Sequence, residues 1–561
     1  MALASLHPLA RGRLDRGSTL AAIQLHETVR PDRWCVTRHD LWQLKKEVVR
    51  AICEGRIGVD SESEDSQDNE DYEDVYGPSI YIVNEQYIKP VTAEAGKVSW
   101  ALMRNPEGLD CDVFVSHAWQ EGVFEFLSKL RCSWPWAARN AWCCMLANPQ
   151  HLNIGSMLLS PKTSPFALAL QASKTVLVVA NRHKSIYCRL WCGYEAYVAS
   201  EDAKVIRIAA APLANRMCCS CWMTLLPLSL GFILGALANV LHWDLSPQGV
   251  VVVSLCAFFS AYFHGPLRQA SNYAGLVATA SMELSFDPTG KGSEFHELGL
   301  QLMDGRLTWI GLSALFVIAE LDRAWSSHIE EEGELLRKRY SGSIRWATCS
   351  QPTDQQNIWD EIGDKVDEVD HAIHVLITAG ISSPSLRAAA KLGVDINHAG
   401  HAEAAVAFVA LGPLLVLSAC EMANIACCEL PQTPLGWICF CLAVGGVLAR
   451  LILLVMLFSS PADKRLFILK VVTKLLTAAV FCLSMVVISV FFEWPGAYQA
   501  AHICLALGDA SFLFSLGFSL LGMDRTMALP GGKWLLQWFL SRQGGRIPKV
   551  CKTSVDTDSS E

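Results

Sequence analysis

Asp112-Val113-Phe114-Val115-Ser116-His117 and, further on, Cys188-Arg189-Leu190-Trp191-Cys192-Gly193-Tyr194-Glu195 are the stretches whose reading decides the fold. The first is an apolar run closed by a polar turn, the pattern of a buried strand. Three more apolar runs follow, at 141–147, 175–180 and 205–209. None alternates, as expected where both faces of a parallel sheet are covered. Helical spacing separates them, at 123–130, 166–172 and 190–200. Repeated β-then-α units over 79–212 predict a doubly wound, flavodoxin-like α/β domain with a parallel sheet. Ligands of such sheets sit beyond the carboxyl ends of the strands. Here those ends are Ser116-His117, Asn148-Pro149 and Asn181-Arg182.

A helix opening at Leu190 carries Trp191 and Glu195 one turn apart on one face. Two readings of Glu195 stand side by side: an ordinary surface glutamate, or a carboxylate aimed into the cleft at the strand ends. His117 is open in the same way, as a turn residue or a pocket residue. No Gly-x-Gly-x-x-Gly fingerprint is present, so Rossmann-type dinucleotide binding has no support.

Taken in order, residues 112–116, 176–179 and 191–195 resemble the Toll/interleukin-1 receptor (TIR) family over about 110–210. Asp112-Val113-Phe114-Val115-Ser116 looks like its first strand and Val176-Leu177-Val178-Val179 like its central strand. Trp191-Cys192-Gly193-Tyr194-Glu195 matches the Trp-x-x-x-Glu pattern that carries the glutamate of NAD-cleaving members. Asn148-Pro149-Gln150 stands where the family has an Arg-Asp-x-x-Pro-Gly turn. The resemblance implies a TIR-like fold that self-associates, with NAD as a substrate. It also implies Glu195 as the catalytic carboxylate, with Ser116, His117, Asn148 and Trp191 around the bound nucleotide. No resident cofactor and no metal site is expected.

Composition places the domain on a membrane. Of 561 residues, 52% are apolar and only 18% charged, against about 25% charged in soluble domains. The net charge of −9 argues against nucleic acid as a partner. The 21 cysteines lack the regular spacing of a disulfide framework and read as reduced, small apolar residues. Met1 to Gly17 has basic residues without a long apolar core, so no cleaved leader is expected. Residues 1–59 read as an extension and 60–78 as an acidic linker. Six apolar runs of about 20 residues are expected to span a bilayer: 221–241, 245–265, 404–424, 435–458, 471–492 and 501–521. They form a hairpin at 217–265 and a four-span bundle at 402–522. Between them lies a cytosolic helical region, 268–400, and a basic tail follows at 523–561.

Charge supports this orientation. The loops 242–246, 425–434 and 493–499 contain no Lys or Arg, whereas Lys464, Arg465 and the tail fall on the other side, which places both termini in the cytosol. Residues 307–321 are short for a span, and counting them would reverse the last four spans and place Lys464 and Arg465 outside, so they read as a buried or interfacial helix. Arg450 and Asp509 are charged residues within spans. Arg450 is expected to snorkel inward, which leaves Asp509 as the more interesting polar site. The expected function is membrane-anchored signalling, through NAD cleavage or self-association. A non-catalytic scaffold and a channel or transporter regulated by the cytosolic domain are the alternatives.

Overall fold

Six strands form one mixed sheet: β1 (Val36–Thr37), β2 (Val113–Ser116), β3 (Asn140–Cys143), β4 (Thr175–Val179), β5 (Val205–Ala209) and β6 (Ile381–Ser382), in the order β1-β3-β2-β4-β5-β6. The computed structural model describes residues 19–58, 76–135, 137–152, 155–158, 160–212, 214–242, 246–285, 306–397, 399, 434–491 and 497–541. The four inner strands are mutually parallel, with Phe114 opposite Trp142 on one side and Val176 on the other. The expected parallel sheet is corrected at both edges, where β1 and β6 run antiparallel to β3 and β5. Two-residue strands carry no periodicity, which is why sequence reading passes over them. They close both edges of the sheet. They also come from outside 79–212, so the sheet draws on three segments that composition separates.

Three helices connect the inner strands: α1 (Val123–Cys132), α2 (Pro165–Ala172) and α3 (Leu190–Glu201). The first crossover steps one way along the sheet and the next two step back past β2. Right-handed crossovers therefore place α1 on one face and α2 with α3 on the other. The order reverses between β2 and β4, which opens a crevice at their carboxyl ends. The apolar run expected as a strand over 141–147 leaves the sheet at Cys143. Cys144–Ala147 turns helically and carries Asn148 to that crevice.

Helix α4 (Ala214–Val240) leaves β5 and is followed by α5 (Ser246–Tyr262), α6 (Pro266–Ser285) and α7 (Arg306–Arg337). These four pack as one array. Leu276 and Met282 of α6 share a cluster with Val253 of α5 and with Trp309 and Phe316 of α7. Backbones approach closely where side chains are small. A Cβ on Gly231 or Gly235 of α4 would run into the backbone of Val277 or Ser281 of α6, which is small-xxx-small packing. Thr279 with Ser313, Asn272 with Glu320 and Arg268 with Asp322 set α6 and α7 antiparallel, at 2.8, 2.9 and 2.7 Å. Residues 307–321 are thus one half of a 32-residue helix whose other end, Leu336, is buried in the core of the sheet domain.

Helices α8 (Pro352–Ile362) and α9 (Val366–Ala379) break at Gly363, where φ is +56°, and end at the left-handed Gly380. Ile362, Val366, Val369, Ile373, Leu376 and Ile377 recur at helical spacing, and all six are buried in the sheet core. A second helical group comprises α10 (Pro434–Ser459), α11 (Ala462–Phe491) and α12 (Ala497–Ala528), and α5 packs against α11. Arg450 does not snorkel away. Its Nη2 lies 2.7 Å from Asp509 Oδ1, across a close approach of Gly446 to Asp509.

Among the described residues two helix windows are long and apolar enough to cross a membrane, Trp222–Val240 and Phe440–Ser459. Val251–Tyr262 is apolar but shorter. The expectation of about six spans is reduced accordingly. The expected span 404–424, the acidic stretch 60–75 and the tail beyond 541 lie outside the described residues, as do many side chains of 471–492 and 501–521.

Candidate functional site

The crevice above β2 and β4 holds a cleft of about 560 Å³. Its walls come from the turns after β2, β3 and β4, from the start of α3, and from Thr348 to Asp354. That last wall is tied down by backbone hydrogen bonds. Leu190 N–H donates to Thr348 O at 2.9 Å, and Thr348 N–H donates to Cys188 O at 3.0 Å.

His117, Asn148, Trp191 and Glu195 all line the cleft, as the sequence suggests for a shared pocket. Ser116 ends β2 beneath the floor and is buried beside Glu195 rather than lining the space. Trp191 stacks on Phe166, with ring centroids 5.2 Å apart, and its indole N–H donates to Asp354 Oδ2 at 3.4 Å.

Glu195 is 6% exposed. Burial raises its carboxyl to about 7, while the Ser116 hydroxyl and the Arg189 guanidinium pull the other way. Three buried polar atoms lining the cleft lack a hydrogen-bond partner: Asn148 Oδ1, Arg189 Nη1 and Glu195 Oε2. Native proteins satisfy nearly all buried polar groups, so water or a ligand entering the cleft completes these atoms. The cleft offers acceptors, a cation, stacked aromatic faces and a carboxylate that gains and loses its proton near neutrality.

Sequence reading missed several contributors. Arg189 sits directly before α3, six residues ahead of Glu195, and is readable as a cation at the same end of that helix. Cys144 was hidden inside an apolar run. Asp354 reaches the cleft from 163 residues beyond Trp191, and no local pattern announces it. No group of His, Cys, Asp and Glu suited to a metal ion occurs among the described residues. No family model, no curated protein and no solved structure matches this chain.

Proposed function

We propose that this is a multi-pass membrane protein whose TIR-like α/β domain cleaves the nicotinamide–ribose bond of NAD at the cleft around Glu195. The observation that carries this reading is the buried Glu195 carboxylate among unpartnered polar atoms at the switch between β2 and β4. Breaking the C–N glycosidic bond releases nicotinamide and builds positive charge on the ribose. An ionised Glu195 stabilises that oxocarbenium-like state and orients a ribose hydroxyl, and water then completes hydrolysis. Arg189 supplies a cation for the diphosphate. Trp191 and Phe166 offer flat apolar faces to a ring.

The helices α4 and α5, with α10, α11, α12 and residues 404–424, form the membrane part in this reading, and both termini face the cytosol. The pair α6 and α7 goes out and returns on the same side. Including residues 307–321 therefore leaves the orientation of the later spans unchanged. Helix α7 joins the helical array to the cleft wall, a route by which the membrane part and the cleft influence each other.

The test is nicotinamide release from NAD by the full chain in lipid vesicles, beside Glu195→Gln. The full chain is needed because β1, β6 and the 348–354 wall lie outside 79–212. Release that is lost in the variant supports the reading. Equal release from both removes Glu195 from the chemistry, and none from a folded and self-associating wild type replaces the reading with a non-catalytic membrane-anchored interaction module.

A further inference from the structure

Cys144 stands in the cleft with a full set of partners for thiol chemistry. Its Sγ lies 3.2 Å from His117 Nε2, and the Trp119 indole N–H donates to the same sulfur at 3.2 Å. On the far side of the imidazole, His117 Nδ1 lies 3.4 Å from the Ala118 carbonyl oxygen and 3.3 Å from Glu121 Oε1, whose carboxyl makes no hydrogen bond and is held well above its ordinary range by burial. A backbone carbonyl only accepts, so Nδ1 carries the proton and Nε2 presents its lone pair to the thiol. The His117 ring is held against Phe126, with centroids 4.7 Å apart. A thiol facing the free nitrogen of an imidazole is the pairing that activates a nucleophile, and the Glu121 carboxyl packs behind that imidazole.

The neighbouring thiol is a natural control. Cys143 Sγ is 3.5 Å from the same Nε2 but is buried, and burial pushes it well above the ordinary thiol range. Cys144 is partly exposed and lines the cleft. Asn148, 5% exposed and with Oδ1 unpartnered, lines the same space and offers an acceptor to whatever enters.

We propose that Cys144 is a covalent site for soft carbon electrophiles, with His117 as its base and Glu121 as the residue positioning His117. The thiol proton passes to His117 Nε2, the sulfur forms a bond to the electrophilic carbon, and the leaving group departs with its electron pair. The adduct then occupies the cleft that contains Glu195.

Iodoacetamide is the probe, used on the full chain with peptide mapping by mass spectrometry over time. Iodide leaves as the C–S bond forms. Cys144 is expected to react at least about tenfold faster than the exposed Cys53, and His117→Asn is expected to remove most of that advantage. Glu121→Gln is expected to slow labelling, and Glu121→Asp to restore part of it. Trp119→Phe, which keeps the ring and removes the donor, serves if His117→Asn does not fold, and is expected to slow labelling several-fold. Labelling of Cys144 no faster than Cys53, or a rate indifferent to the His117 or Trp119 change, overturns the proposal. The readout needs no turnover, so it stands or falls separately from NAD cleavage.

Discussion

The Glu332 carboxylate of α7 accepts a hydrogen bond from Lys129 Nζ of α1 at 2.7 Å, across 203 residues of chain. Lys129 also pairs with Glu125 at 3.0 Å and donates to Ala180 O, just past the end of β4, at 3.0 Å. Burial alone would lower the Lys129 ammonium, but the two carboxylates outweigh it and hold it above its ordinary value. One buried cation therefore fastens the long helix to the strand end beside the cleft. Lys338 completes the fastening, with its Nζ donating to Arg182 O at 2.8 Å.

Removing that cation leaves two carboxylates buried without it. Lys129→Met is expected to destabilise the protein by about 3–5 kcal/mol, and adding Glu332→Leu to recover part of the loss. Thermal unfolding of the full chain measures both. An unchanged melting temperature in Lys129→Met would show that the cluster does not hold α7 to the sheet.

Glu195 gives stability a pH dependence of definite sign. Its carboxyl sits at about 7 in the folded protein against an ordinary 4.5. Between those values the folded chain holds a proton that the unfolded chain has released, so stability falls as pH rises through this window. Glu195→Gln is expected to be more stable than wild type above pH 7, by no more than about 3 kcal/mol, and equal to it below about pH 4. Turnover that uses the carboxylate should rise through the same window. Melting curves at acid and alkaline pH decide the first point, and an advantage of the variant that is independent of pH would contradict it.

The close approach of α4 to α6 depends on the absence of side chains at Gly231 and Gly235. Gly235→Leu is expected to force the helices apart at a cost of about 1–3 kcal/mol or more. Gly517→Ala, at a position with no heavy atom within 4 Å of the added Cβ, should be tolerated. The fraction of monodisperse protein after heating in detergent separates the two variants. Equal behaviour would mean that α4 and α6 do not pack through these glycines.

Arg450 and Asp509 should behave as one unit. Arg450→Met leaves the carboxylate without its cation and is expected to cost about 3–5 kcal/mol, as is Asp509→Leu. The double variant should lose much less than the sum of the two. A double-mutant cycle on thermal stability measures the coupling, and strict additivity would place the two residues apart.

Much of the cleft was legible in the chain because its chemistry sits where short-range rules operate. An apolar strand must end in a polar turn, which places His117 at the strand end beside the cleft. Helical spacing places Trp191 and Glu195 on one face. The six apolar positions from Ile362 to Ile377 likewise announce a buried helical face, and the sheet core receives all of them, although the chain breaks at Gly363 into α8 and α9. Reading lost its grip at Cys144, where an apolar run continued while the strand stopped. Residues 307–321 do form the packed helix expected of them, but no local pattern shows that this helix continues to Arg337 and packs against α6.

By itself, the sequence determined the inner strands, their connecting helices and the region of the cleft, because burial on both faces of a sheet and one face of a helix leaves a periodic trace. Only the tertiary structure decided which distant segments complete that framework. The edge strands at Val36–Thr37 and Ile381–Ser382, the wall at Thr348 to Asp354, the Lys129–Glu332 tie and the Arg450–Asp509 pair join residues far apart in the chain. Each arises from pairing of groups whose need for a partner is written locally, while the partner is selected by how the helices and the sheet pack.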